Sequence, residues 1–380
     1  MVNEVEIVRP AIVIDNGSGS IKAGLAGEDV PKVILQNAVG HRGIIPSADK
    51  AGGLSIGNNA ITSLESTIKL KYPMENGVVT NWDDMEAVWA HLFQNELKVK
   101  PEEFAMLLTE APLNAPENRK KMGEIFFEKF NTPALFFCLP SVLALYSTGR
   151  KTGLVLDSGE EVTCAVPVVD GYAVEEGIRR LNTGGRNVTN LLSSLLYKEK
   201  GYAFASNQEL EIVRKIKENL EGQVKREDGF KYTLPDGQII QLENKNGTAE
   251  QLVDSLFGSN PTFKNAGGKG VAELAFEAIM ATDQSLFSNL VISGGNSMLP
   301  GFQDRFEKEM GGLMAKNSLK NKLKIIPAGI GSGAQLGESR QCAAWRGGSI
   351  LANLSAFQSM WVGKKEYEEM GAEALLHIKK

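Results

Sequence analysis

The stretch AIVIDNGSGSIKAGLAG, residues 11 to 27, decides the fold. It reads as an apolar strand, a turn of small residues and a returning strand, which is a hairpin closed by a Gly-rich turn. About 140 residues later TGLVLDSGEEVTCAVPVVDG, residues 152 to 171, repeats the layout, with a strand ending in Asp157 and a turn through Gly159. The chain is read as internally duplicated. A glycine turn after a buried strand lets backbone N–H groups approach a polyphosphate that side chains would otherwise block. In the first turn the glycines and Ser18 can donate to phosphate oxygens, Lys22 supplies a countercharge, and Asp15 can hold the hydration shell of a magnesium ion. Asp157-Ser158-Gly159 can do the same from the other side. Either turn alone is compatible with a plain hairpin in which glycine supplies positive φ; two at matched positions favour a phosphate site. A third turn, Ser293 to Met298, follows the apolar strand NLVIS and can pack against an adenine and ribose.

Outward from these turns, strands alternate with helices. Met85, Val88, Trp89, Leu92 and Phe93 share one face of a helix, and PENRKKMGEIFFEKF carries Pro116 in its first turn. Between them lie the short strands AMLLT and ALFFCL, and the alternation predicts a mainly parallel sheet covered on both faces in each half. Helices are expected over 184 to 198 and over 206 to 220, the latter opened by a Ser-x-x-Glu capping box at Ser206 and Glu209. A Pro-Asp-Gly turn at 235 to 237 joins KYTL to QIIQL as an exposed hairpin. PAGIGSGAQLGES, residues 327 to 339, reads as a flexible surface loop, and helices from Gly348 onward should close the first lobe.

At 380 residues the chain exceeds what one core fills, so two lobes are expected. A net charge of -5 argues against nucleic acid or an anionic membrane surface as main partner. Three scattered cysteines without a CxxC pair suit a reducing compartment, with the cytoplasm as default. The N-terminus has no signal-peptide pattern, and the longest apolar run, about twelve residues containing Pro140, is too short to span a membrane.

With LKYP at 70–73, TNWDDME at 80–86, LLTEAPLN at 107–114, FNTPA at 130–134, LPDGQ at 234–238, SGG at 293–295, WRGGSILANLSAFQSMW at 345–361 and KKEYEE at 364–369, the sequence resembles actin. DxGSG by itself marks only the wider superfamily of actins, sugar kinases and 70-kilodalton chaperones, whereas LLTEAPLN and TNWDDME are specific to actins and close actin-related proteins. The resemblance implies a two-lobed α/β fold of duplicated mixed β-sheet domains flanked by helices. Residues 1–147 and 345–380 would form the first lobe, with a small subdomain inserted at about 36–74; residues 148–344 would form the second, with one at about 186–271. It further implies ATP or ADP between the lobes, around a water-ligated Mg2+ near Asp15 and Asp157. Gly17, Ser18, Gly19, Ser20 and Lys22 fall on the first phosphate loop, and Gly159, Glu160, Glu161 and Val162 on the second. Gly185, Lys217, Glu218, Gly294, Gly295, Asn296 and Met298 fall on the nucleoside pocket. A groove for actin-binding proteins and filament contacts would be lined by Tyr146, Tyr172, Leu351, Leu354 and Met360, residues that spacing alone would equally place in a core.

Departures from actin gather where hydrolysis occurs. The Gln and His that hold the attacking water in actin are Pro140 and Cys164 here, and neither can orient a water. Glu160 and Glu161 replace an Asp and a Gly of the second loop and add negative charge near the phosphates, which weakens triphosphate binding unless Glu161 points to solvent. No histidine falls on a phosphate loop. The loop 40–57 is shorter and different, about a dozen residues are missing after Leu220, the apolar plug is replaced by FKNAGGKGV, Gln341 stands for a Lys and Arg346 for an apolar groove residue. Two readings follow. One is a cytoskeletal, filament-forming actin with weak or absent ATP hydrolysis; the other is a non-polymerising actin-related protein serving as a nucleotide-binding structural subunit beside other actin-family subunits. A metabolite kinase would need a catalytic Asp beside a sugar pocket, and no candidate is visible.

Overall fold

The apolar run becomes strand β1 (Ala11–Asn16), buried along its whole length, and the turn after it returns the chain as β2 (Ser20–Leu25) and then β3 (Val33–Gln36). This computed structural model describes residues 10–42, 54–62, 68–220, 230–234, 237–242, 247–258, 268–327 and 340–378. A small sheet follows, from β4 (Val39–Arg42), β5 (Ser55–Ile56) and β6 (Ile68–Lys71) in the order β5-β4-β6, with helix α1 (Asn58–Thr62) beside it. Strands β7 (Met74–Glu75) and β8 (Val78–Val79) form a hairpin whose turn residues Asn76 and Gly77 have φ of 49° and 76°. Asn-Gly is the pair that tolerates two successive positive φ values.

Helix α2 (Trp82–His91) starts where the Asn81 side chain accepts the Asp84 N–H, and its face of Met85, Val88 and Trp89, continued by Leu92 and Phe93, is fully buried as the spacing predicts. Then come β9 (Ala105–Thr109), α3 (Pro116–Glu124), β10 (Ala134–Cys138) and α4 (Pro140–Tyr146). Pro140 is the first residue of α4, where its missing N–H would have had no helical partner.

The second half repeats the plan with β11 (Gly153–Ser158), β12 (Thr163–Val169), β13 (Tyr172–Ala173), β14 (Arg179–Leu181), α5 (Gly185–Lys200) and α6 (Asn207–Asn219). The capping box of α6 is complete: Ser206 Oγ accepts the Glu209 N–H at 3.2 Å and Glu209 accepts the Ser206 N–H at 2.8 Å. Strands β15 (Phe230–Thr233) and β16 (Ile239–Leu242) pair antiparallel. The chain continues through α7 (Thr248–Leu256), α8 (Val271–Met280), β17 (Leu290–Ser293), α9 (Phe302–Lys316), β18 (Ile325–Ile326), α10 (Ala343–Ala352), β19 (Val362–Gly363) and α11 (Lys364–Met370). Residues 43–53, 221–229, 235–236, 259–267 and 328–339 lie outside the described residues, and with them the Pro-Asp of the 235–237 turn and most of the expectations for the 40–57 loop, the shortened subdomain, the polar plug and the Gly-rich insertion.

The large sheets run β19-β10-β9-β1-β2-β3 and β18-β17-β11-β12-β13, with β14 also on β12. In each, the first hairpin strand lies antiparallel to the second and parallel to a later strand, β9 or β17, beyond which lies a further parallel strand. The sheets are therefore mixed, not mainly parallel, because each hairpin places an antiparallel neighbour against the strand it follows. Alternate residues of β11 serve two cores: Leu154 and Leu156 join Phe287, Phe302 and Phe306, while Val155 joins Trp89, Phe137 and Trp345.

Helix α10 begins at Ala343, five residues before the expected start at Gly348. Its two glycines hid it, since glycine disfavours helix. They are needed for contact with α4 and β1: a Cβ on Gly347 would lie 1.7 Å from Leu143 O, and one on Gly348 2.7 Å from Val13 Cγ1.

Candidate functional site

Parallel strands β1, β9, β11 and β17 end at a common cleft, the position where open α/β sheets bind ligands. The cavity there measures about 350 Å³. One wall carries Asp15, Gly17, Ser18, Gly19, Ser20 and Lys22; the facing wall carries Asp157, Gly159, Glu160, Glu161 and Val162. Helix α6 contributes Lys217 and Glu218, and the turn after β17 contributes Gly294, Gly295, Asn296 and Met298. Gly185 stands just behind the lining, its N–H on Gly159 O at 2.9 Å and its carbonyl accepting from Lys217 Nζ at 2.8 Å.

The turns are shaped by close backbone approach. Gly294 has a φ of 89° and a Cβ there would lie 2.2 Å from Ser158 O, while a Cβ on Gly19 would meet the Glu160 side chain at 2.8 Å. Asn296 Nδ2 donates to Ser158 Oγ at 3.0 Å and Gly159 O at 2.7 Å, so the third turn grips the second. Asp15 accepts from Thr109 Oγ1 at 3.1 Å and faces Lys22 Nζ at 3.6 Å. Burial holds the Asp157 carboxyl above its ordinary value, Ser293 opposes that by hydrogen bonding, and the nearby Asp15 charge adds to it. The two carboxylates form a hard oxygen donor set that suits a water-ligated Mg2+, and the glycine cradle between them suits phosphates.

Pro140 and Cys164 line this same cavity. Cys164 is buried opposite Asp157 in the β11–β12 pair, and burial pushes its thiol up to about 12, leaving it neutral near pH 7. Glu110, also in the lining, is held by Arg119 through a buried ion pair and by Asn114 at 3.1 Å. His41 and His91 pair elsewhere with Asp84 and Glu96.

The side chain of Glu161 does not point to solvent. Its carboxylate accepts the Asn76 N–H at 2.7 Å and lies 3.3 Å from Arg186 Nε, so Asn76 and Arg186 are parts of the site that sequence reasoning missed. The Asn-Gly pair at 76–77 was the available signal for the turn. Burial raises the Glu161 carboxyl, which Arg186 and the Asn76 N–H partly offset and Glu160 reinforces. Glu160 turns toward Lys217, 3.9 Å away. Lys217 in turn is held below the ordinary lysine value by burial, against the pull of Glu160.

Of the five groove residues, Tyr172, Leu354 and Met360 are 48%, 50% and 40% exposed, and Tyr146 and Leu351 are partly buried. The Tyr146 hydroxyl sits where a Cβ on Gly171 would fall, next to Tyr172. Arg346 is largely covered and reaches Asp29 at 3.6 Å.

A duplicated pair of mixed sheets with facing Asp-and-glycine turns is the two-lobed architecture of an actin-type fold. The family model described as Actin matches residues 8–379, and the chain belongs to the actin family. Among the described residues no helix is long and apolar enough to cross a membrane.

Proposed function

We propose that this protein binds ATP or ADP in the cleft between a lobe of residues 1–147 and 345–380 and a lobe of residues 148–344, and acts as a cytoplasmic, cytoskeletal, filament-forming actin with weak or absent hydrolysis. The observation that carries the reading is that Pro140 and Cys164 share one cavity with both phosphate turns. Asp15 and Asp157 would hold Mg2+ through water, and the ion would neutralise charge on the phosphate oxygens. The first two turns cradle the phosphates, with Lys22 as countercharge; Lys217, Glu218 and the 294–298 turn take the nucleoside. A water beside the terminal phosphate meets a proline ring and a neutral thiol, neither of which can fix its attack geometry. The exposed part of the 146, 172, 351, 354 and 360 set receives actin-binding proteins, with Arg346 turned aside toward Asp29.

The test is sedimentation of the purified protein with ATP, magnesium and salt, with phosphate followed in the same tubes. Pelleting with little phosphate release is the expected outcome. Absence of pelleting would favour a structural subunit that works beside other actin-family chains, and brisk release would refute the reading of Pro140 and Cys164.

A further inference from the structure

The two neighbouring acidic side chains of the second turn point apart. Glu160 lies against the first turn, where a Cβ on Gly19 would meet its Cβ at 2.8 Å, and turns toward Lys217 on the nucleoside side. Glu161 turns toward the other end of the cradle. There its carboxylate takes the Asn76 N–H at 2.7 Å and lies 3.3 Å from Arg186 Nε. Both of these groups and a hydrogen bond from Ser18 favour its charged form against the cost of burial. The same Ser18 Oγ accepts the Gly77 N–H at 3.1 Å, so the Asn76–Gly77 turn touches both walls at this end, and Glu161 is bonded to the turn and to Ser18 alike. Glu161 is only 9% exposed, which leaves little water to screen its charge. The cavity lining as a whole carries six carboxyl groups against three cations, Lys22, Arg214 and Lys217. Each cation already faces a carboxylate: Asp15 at 3.6 Å, Glu218 at 2.9 Å and Glu160 at 3.9 Å.

We propose that Glu161 makes this cleft selective for a nucleoside diphosphate over a triphosphate. The inference rests on the nucleotide reading and adds which nucleotide is held. With the nucleoside on Lys217, Glu218 and the 294–298 turn, the phosphate chain runs away from that end, and a third phosphate is the one that reaches Glu161. The donors there are already engaged: Ser18 and the Asn76 N–H serve the carboxylate, and Arg186 is paired with it while stacking 4.1 Å from the Tyr72 ring centre. A third phosphate must displace the carboxylate from these groups or sit beside it as a like charge, and either course costs on the order of tenfold in affinity or more. A diphosphate ends short of Glu161 and keeps the metal pair Asp15 and Asp157 together with the glycine cradle.

The test is isothermal titration of the purified protein with the magnesium complexes of ADP and of the β,γ-imido analogue of ATP, which resists hydrolysis. The native protein should bind ADP about tenfold tighter or more. Glu161→Gln keeps the shape and an oxygen for the Asn76 N–H, and Glu161→Gly removes the side chain altogether. Each should tighten the triphosphate analogue by about tenfold and leave ADP nearly unchanged, and the retained ADP binding shows that the variant is folded. Glu369→Gln, which removes an exposed charge on α11, should keep the native ratio of the two affinities. Equal affinities in the native protein, or the native preference persisting in both Glu161 variants, overturns the inference while nucleotide binding stands. Binding of neither nucleotide by any of the proteins refutes the nucleotide reading and the selectivity with it.

Discussion

Cys164 sits in a hairpin register opposite Asp157, and its neutral thiol and the ring of Pro140 line the same cavity as the two glycine turns. Restoring polar groups by Pro140→Gln with Cys164→His should raise phosphate release by roughly a hundredfold, the scale of one positioned acid–base group. Equal rates in both proteins would mean that these two positions do not set the rate of hydrolysis. The thiols offer a simpler check. Cys138 and Cys164 are both buried and pushed up to about 12, so iodoacetamide near pH 8 should leave both unmodified until the protein is denatured. Early labelling of Cys164 would contradict its placement. For Glu161, burial beside Glu160, only partly offset by Arg186, penalises the charged form in the folded state. That penalty is absent below the ordinary carboxylate range, where the group is protonated folded or unfolded, and grows as pH rises through the folded value. Glu161→Gln should therefore melt higher than the native protein at about pH 7 and lose its advantage toward about pH 4. An advantage that grows on acidification would show that the Arg186 pair, not burial, dominates.

At the level of elements, the parts legible in sequence are those whose signals are local. The capping box at Ser206 and Glu209, the buried stripe of α2 and the two glycine turns needed no tertiary information. Ser206→Ala should cost about 1 kcal/mol, read as a lower denaturation midpoint, with Ser206→Asp recovering most of it. The start of α10 was not legible, because Gly347 and Gly348 break the helical signal for the sake of contact with α4. Gly347→Ala should accordingly destabilise by about 1 to 3 kcal/mol despite the better helix propensity of alanine. A neutral or stabilised variant would mean that α10 and α4 are not in backbone contact. The residues expected on the two glycine turns all line the cleft, with Thr109, Glu110 and Arg214 lining it unforeseen; the direction of Glu161 was not legible, since it depends on Asn76 and Arg186, which come from segments over a hundred residues apart.

For the whole molecule, two sheets of matching strand order put an Asp at the end of β1 and another in β11, both lining one cleft, and side chains of α6 hydrogen-bond to the edge strand β6. Such a cleft gains most from a ligand that meets both walls at once. The measurement that tests this most directly is the melting temperature of the purified protein with and without ATP and magnesium. A ligand present at about a hundred times its dissociation constant stabilises by about 2.7 kcal/mol, which should appear as a rise of a few degrees, smaller when EDTA removes the metal. An unchanged melting temperature at millimolar nucleotide would contradict nucleotide binding in the cleft.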